Sequence, residues 1–279
     1  MEYWLVIIFA IIAIAAIAIL LFYELMGDDA VLFKKKHRRG KYINDQTAII
    51  YQTIKDTVDS KSAYALFIEY LFANHKQFLE YIKKTLMDIR KSYNADNISG
   101  LESTISDIKE MKIELKDQRV AQSDCISTID RSFYIEFVAW IHLANNCRFS
   151  INASLKRMAE VCIDYSANYS EPFPDIYNEQ LEYLVADICN ICNTALSLIG
   201  SNDVDAMREL RKRMSIILDE SYANSQRLFE LIHDGRSELD PDRLTALKYA
   251  LNAFQELHNI IYTLRRFVLA NICLTLSLK

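Results

Sequence analysis

Ten apolar residues, Phe133, Phe137, Trp140, Ala144, Cys147, Ile151, Leu155, Met158, Cys162 and Tyr165, recur at steps of three or four. This spacing holds one helical face for about nine turns. A face that long is stable only when other helices cover it. Leu247, Ala250, Phe254, Leu257, Ile261, Leu264 and Val268 repeat the pattern in strict 3–4 alternation, as bundle packing requires. Met207, Leu210, Met214, Ile217, Leu228 and Leu231 do likewise, except that Ser221 and Asn224 interrupt the stripe. No strand-length alternation competes. Five glycines and three prolines in 279 residues leave too little turn chemistry for the many short strands of a sandwich or barrel. The expected fold is all-α.

Gly27, Gly40, Gly100, Gly200 and Gly235 each fall where an apolar pattern stops, and they read as punctuation. Pro172 and Pro174 break the chain once more, and Pro241 follows Asp240 at a position typical of a first helical turn. The segments between these marks are 43–94, 101–169, 175–199, 202–234 and 241–276. The first two divide near Ser60 and near Gln118–Asp124, giving six or seven helices beyond residue 42. Ser201-Asn202-Asp203 and Asp240-Pro241-Asp242 supply capping side chains, and such short connections join antiparallel neighbours. An up-and-down bundle is expected, or two half-bundles sharing a long helix.

Leu5 to Phe22 form an unbroken apolar run of eighteen residues, edged by Tyr3, Trp4 and Tyr23. That is close to the roughly 20 residues needed to cross a bilayer, with aromatic rings where headgroups lie. No Lys or Arg precedes the run, whereas Lys34, Lys35, Lys36, Arg38, Arg39 and Lys41 follow it. A cleavable signal peptide shows the opposite flanks. The positive-inside rule then places the N-terminus outside and the remainder in the cytoplasm. The expected organisation is a transmembrane anchor at 1–26, a basic juxtamembrane linker at 27–42 and a cytoplasmic helical bundle at 43–279. The basic run can also bind anionic headgroups of the lipid bilayer, although a topology signal suffices to explain it. Beyond residue 41 the balance is 26 Lys and Arg against 33 acids, which argues against a nucleic-acid partner. The six cysteines lie mostly within apolar helical patterns, so a disulfide framework is not expected.

The glycines are isolated, and neither a P-loop nor a dinucleotide fingerprint is present. No His-Glu-x-x-His, nucleophile elbow or spaced Cys/His zinc pattern occurs, and no enzymatic activity is expected. Cys189-Asn190-Ile191-Cys192 is a C-x-x-C without a second ligand pair, which favours core packing over a redox or half-zinc site. Glu230-Leu231-Ile232-His233 is the single E-x-x-H, where a di-iron bundle needs two and further carboxylates. His142 and His258 fall within apolar helices and read as satisfied or partly buried; His75 and His37 have no evident partner. Glu110/Glu114, Glu160/Asp164 and Asp205/Glu209 each place two carboxylates on one helix face, where they can present oxygens to a hard cation. The plainer reading is a solvated face. No cofactor is expected, a divalent metal being the one candidate.

Trp140-Ile141-His142, Asn145-Asn146 and Ser154-Leu155-Lys156-Arg157-Met158 resemble the PhoU-like helical domain that forms the cytoplasmic C-terminal part of some bacterial Pit-family and related sodium/phosphate transporters. Ile89-Arg90-Lys91 and the final helix Leu247 to Phe267, with Arg265-Arg266, extend the resemblance. It implies two three-helix bundles, a role in regulating phosphate uptake and, in some members, metal held by acidic E/D-x-x-x-D motifs. Glu160-x-x-x-Asp164 satisfies that pattern and Asp205-x-x-x-Glu209 nearly does, though they are not paired as the family's motifs are. The transporter's many spans are missing. The resemblance therefore implies an accessory or regulatory piece at the inner membrane whose partner is a phosphate transporter. The alternative is a self-associating structural or signalling bundle, a homo-oligomer without a link to phosphate. A metal-dependent helical enzyme would need carboxylates and histidines converging inside the bundle.

Overall fold

The computed structural model describes residues 52–54, 56–57, 59–135, 137–169, 173, 175–201, 203–234 and 241–276. They form seven helices and no strand: α1 (Ser60–Asn94), α2 (Ile98–Thr128), the short α3 (Arg131–Tyr134), α4 (Val138–Asn168), α5 (Asp175–Leu198), α6 (Val204–Asp234) and α7 (Pro241–Leu276). No helix among these residues is long and apolar enough to cross a membrane. The Leu5–Phe22 run, the basic residues Lys34 to Lys41 and the boundaries at 26 and 42 lie outside the described residues.

Local chemistry sets the helix ends. Asp59 caps α1, its carboxylate accepting from the Ser62 N–H at 2.9 Å, so the division near Ser60 falls where expected. Asp203 caps α6 through the Ala206 N–H at 2.9 Å, and Pro241 opens α7. Gly200 ends the preceding helix at φ +80°, which L side chains rarely adopt.

Two expected breaks are corrected. Gly100 is inside the first turn of α2, because Asn97 caps that helix by accepting from the Gly100 N–H at 3.0 Å. The turn lies one step earlier, with Asp96 at φ 48°. The second division is not at Gln118–Asp124, through which α2 runs unbroken. It comes at Ile129, whose backbone is extended, and Asp130, whose carboxylate caps α3 through the Ser132 N–H. Phe137 consequently precedes α4 and Phe133 falls in α3, so the stripe is one continuous helix only from Trp140 onward, where Ala144, Cys147, Ile151, Leu155, Met158, Cys162 and Tyr165 are all buried.

The six long helices pack into one unit. α1, α2 and α4 touch one another, as do α5, α6 and α7, and the two sets join along α4–α7, the most extensive pair, and α1–α5. α7 has fifteen buried residues along its length, and its seven-residue 3–4 stripe is wholly among them. Fully burying a Leu, Ile or Phe side chain contributes about 1.5–3 kcal/mol, so α7 is the main apolar spine. On α6 the stripe holds to Leu228 and then continues through buried Ile232; Leu231 faces outward instead.

The apolar interior has two parts. A main core runs from Phe78, Met111 and Ile151 to the far ends of α5, α6 and α7. A smaller core at one end gathers Phe67, Leu71, Cys125, Ile129, Ile141 and Leu274. Between the two, each of four helices contributes polar residues: Asn74 and His75 on α1, Gln118 and Gln122 on α2, Asn145 and Arg148 on α4, Asn271 on α7, all buried.

Candidate functional site

This transverse polar layer is the densest chemistry inside the bundle. Its sequence basis is helical spacing: Glu114, Gln118 and Gln122 share one face of α2 at steps of four, and Asn145, Arg148 and Asn152 share one face of α4 at steps of three and four. The two faces meet. Asn145 Nδ2 donates to Gln122 Oε1 at 2.7 Å, and Gln118 Nε2 donates to Glu114 Oε1 at 3.1 Å. Arg148, only 2% exposed, donates through Nη2 to Gln118 Oε1 and through Nη1 to Asn145 Oδ1, and its guanidinium lies 5.4 Å from the Phe78 ring centre. One turn further along α4, Asn152 accepts from the Tyr81 hydroxyl at 2.7 Å and donates to the Ile108 carbonyl.

His75 closes the layer on the α7 side. Asn271 Nδ2 donates to the Phe267 carbonyl, so its Oδ1 is the acceptor and His75 Nδ1 donates to it at 2.7 Å. Burial, with the nearby Arg148 charge, pushes the imidazole down to about 3, although the Asn271 bond opposes this. His75 is therefore neutral at ordinary pH and its Nε2 is a bare acceptor. That atom, Glu114 Oε2, Gln122 Nε2, Asn74 Nδ2 and Arg148 Nε are buried without a hydrogen-bond partner, each a cost to the fold.

Glu114 and Arg148 form no close ion pair, yet they respond to each other. Burial pushes the Glu114 carboxyl up to about 7, against the opposing pull of Arg148 and the Gln118 bond. Burial brings Arg148 down to about 10, with Tyr70 and Glu114 resisting. The layer thus holds a cation near a carboxyl whose burial favours its protonated form.

The residues expected to hold metal are placed apart from this layer. Glu160 pairs with Lys156 at 2.7 Å, and Asp164 is exposed on the same helix. Asp205 and Glu209 are exposed on α6, held by Arg208 at 2.8 Å and Lys212 at 3.8 Å. No group of three or more His, Cys, Asp or Glu side chains suited to a metal occurs among the described residues. Of the third acid pair, Glu114 is buried in the layer and Glu110 is exposed.

The remaining side chains sort by burial. All six cysteines are free thiols. Cys192 is fully buried and Cys189 partly so, as the core-packing reading expects, and burial raises both thiols. Burial likewise pushes Cys147 up to about 11 and Cys162 up to about 12. His142 is exposed. His258 is half-buried, its Nδ1 2.8 Å from the hydroxyl of Ser221, which is itself fully buried; the interruption in the α6 stripe is therefore a cross-helix hydrogen bond. An apolar cleft of about 30 Å³ lies among Leu86, Tyr93, Met158, Cys162, Phe173 and Leu181. That is room for about one water molecule, where drug-sized ligands take roughly 300–1,000 Å³.

Sequence reasoning passes over Arg148 and leaves His75 without a partner. The available signal was the polar repeat at 114, 118 and 122 opposite that at 145, 148 and 152, which a solvated face produces equally well. Comparison of the chain with family models, with curated proteins and with solved structures gives no match.

Proposed function

We propose that this chain is a membrane-anchored accessory module of inorganic phosphate transport that acts by protein contact rather than by catalysis. The observation that carries the contact reading is the direction in which the reactive groups are turned. Arg148, His75, Glu114 and the thiols of Cys147, Cys162 and Cys192 are enclosed by helices, with the thiols held protonated and the imidazole neutral. Catalytic thiols and imidazoles need the opposite shifts and access to substrate. What such a bundle offers another molecule is its surface.

The membrane attachment rests on the Leu5–Phe22 run and its basic flank, and the phosphate setting on the resemblance around Trp140 to Met158. The test is affinity purification of the tagged full-length protein from mild detergent. A multi-span phosphate transporter in the eluate is the expected result. Recovery of the chain alone as a homo-oligomer would overturn the transport reading and favour a self-associating bundle.

A further inference from the structure

One face of the α6–α7 pair carries cations and aromatic rings, with Asp219 and Glu230 only at its outer edge. On α6 the positions Arg211, Ser215, Leu218, Tyr222, Phe229 and His233 fall on one line by their spacing. Tyr222 is 55% exposed and Phe229 56%. Asp219 and Glu230 lie about 60–80° further round the helix, on the side away from α7. Beside this line, α7 presents His258, Tyr262, Arg265 and Arg266. The two lines share a side because the Tyr222 and His258 rings lie 6.1 Å apart. Tyr262 is 48% exposed, with the Arg266 guanidinium 5.8 Å from its ring centre. The one carboxylate of α7 beyond Asp242 is Glu256, which is turned to the opposite flank, where it accepts from Arg157 at 2.7 and 2.9 Å.

Several exposed cations elsewhere on the helices are paired with an acid: Arg90 with Glu182, Arg208 with Asp205 and Arg213 with Asp187. Arg211 and Arg265 have no acidic partner among the described residues, and Arg266 has only a ring. In a chain of net charge −5 this is a local reversal of sign. The face is two helices wide and open, with no cavity that would select a small ligand. Arginines with tyrosine and phenylalanine on an open surface match the chemistry of an anionic headgroup layer, where the rings enter the interface and the cations meet phosphates.

We infer that the Arg211, Tyr222, Phe229, Tyr262, Arg265 and Arg266 face of α6–α7 lies against the anionic lipid surface of the membrane that holds the chain. The inference rests on the membrane attachment proposed above, since the anchor keeps the bundle within reach of headgroups. Each cation near such a surface is worth about fivefold in partitioning, so three together weight the docked orientation about a hundredfold.

The test is hydroxyl-radical footprinting of the full-length protein in nanodiscs of phosphatidylcholine alone or with phosphatidylglycerol. Oxidation of Tyr222, Phe229 and Tyr262 is expected to fall severalfold in the anionic discs and to recover in high salt. Tyr183, 71% exposed on α5, serves as the reference and should label equally in both. The R211Q/R265Q/R266Q variant, whose changes fall at two exposed positions and one half-buried one and whose helicity is checked by circular dichroism, should lose the protection. Equal labelling of the three rings in both lipids would overturn the inference. So would protection that appears in detergent and grows with protein concentration, which would assign the face to a second copy. Failure to enter phosphatidylcholine discs would sink the anchor instead. The face would then stand or fall on whether the chain floats with phosphatidylglycerol vesicles in a manner the triple variant abolishes.

Discussion

The polar layer between α1, α2, α4 and α7 and the apolar seam between α6 and α7 solve the same packing problem with opposite chemistry. At the seam, Met207, Leu210, Met214, Ile217 and Leu228 meet α7 with side chains that have no directional preference. Such a contact gains free energy from area and tolerates sliding or repacking. In the layer, Gln118, Gln122, Asn145 and Arg148 give up hydration and recover it only when each donor meets its acceptor. A slide of about half a turn would break the cross-helix Asn145–Gln122 and Arg148–Gln118 bonds, while the Gln118–Glu114 bond within α2 would survive. The comparison teaches that the α1–α2–α4 group is fixed in register at some expense of stability, whereas the α6–α7 pair is held by bulk burial.

The sharpest way to break this contrast is to remove the cation. Arg148→Ala leaves Gln118, Asn145 and an uncompensated Glu114 in the interior, and should destabilise the chain by about 3–5 kcal/mol in urea unfolding. If Arg148 were instead only filling space, Arg148→Met would be nearly neutral by itself. The expected result is that Arg148→Met is costly alone and that adding Glu114→Gln recovers a large part of the loss, because the residual buried charge is gone. Gln118→Leu, which keeps the volume but deprives both Arg148 and Glu114 of a partner, should cost about 2 kcal/mol. The matching change at the seam, Met214→Leu, should cost about 1 kcal/mol or less. Equal costs for these two would erase the distinction between the regions.

Protonation sharpens the comparison, since the layer titrates and the main apolar core does not. Glu114 has a folded-state value of about 7 against 4.5 for an ordinary glutamate. The folded chain therefore holds the extra proton between those values. Its contribution to stability is complete below about pH 4.5 and is lost as the pH rises through 7. His75 works in the opposite sense, with about 3 in the fold against 6.5 outside it, so its contribution is present above pH 6.5 and is lost as the pH falls toward 3. The wild-type profile mixes the two, and the difference between wild type and Glu114→Gln isolates the first. That difference should move against the wild type by on the order of 2–3 kcal/mol between pH 5 and 8. A flat difference would show Glu114 to be solvated.

The seam was legible in the sequence and the layer was not, for a physical reason. Apolar residues at helical spacing have one stable outcome, burial, so Met207 to Leu228 and Leu247 to Val268 announced themselves. Polar residues at the same spacing have two, a wet face or a satisfied interior, and the choice is made by what lies opposite. Glu110 and Glu114 illustrate it: the same residue, one turn apart, exposed in one case and 3% exposed in the other. The break after α2 was hidden similarly. Ile129 and Asp130 carry no Gly or Pro, and the extended backbone there is set by a cap two residues on. His75 gave no sign because its partner Asn271 is 196 residues away.

The smallest expected effect probes the seam at Ser221, where α6 and α7 exchange a hydrogen bond with His258. Ser221→Ala should cost about 1 kcal/mol or less, a lighter penalty than any change in the layer. Two features limit it. The Ser221 hydroxyl is shared with the Leu218 carbonyl of its own helix, which retains its backbone bonding. His258 is only half-buried, so its freed nitrogen can turn to water, whereas the partners of Arg148 cannot. The burial that holds His258 below its usual value should persist without the serine. Its titration followed by NMR should therefore change little, while the unfolding midpoint falls slightly. A loss as large as that of Gln118→Leu would mean that Ser221 fixes the register of α6 as the layer fixes that of α2 and α4, and the two regions would differ in composition but not in kind.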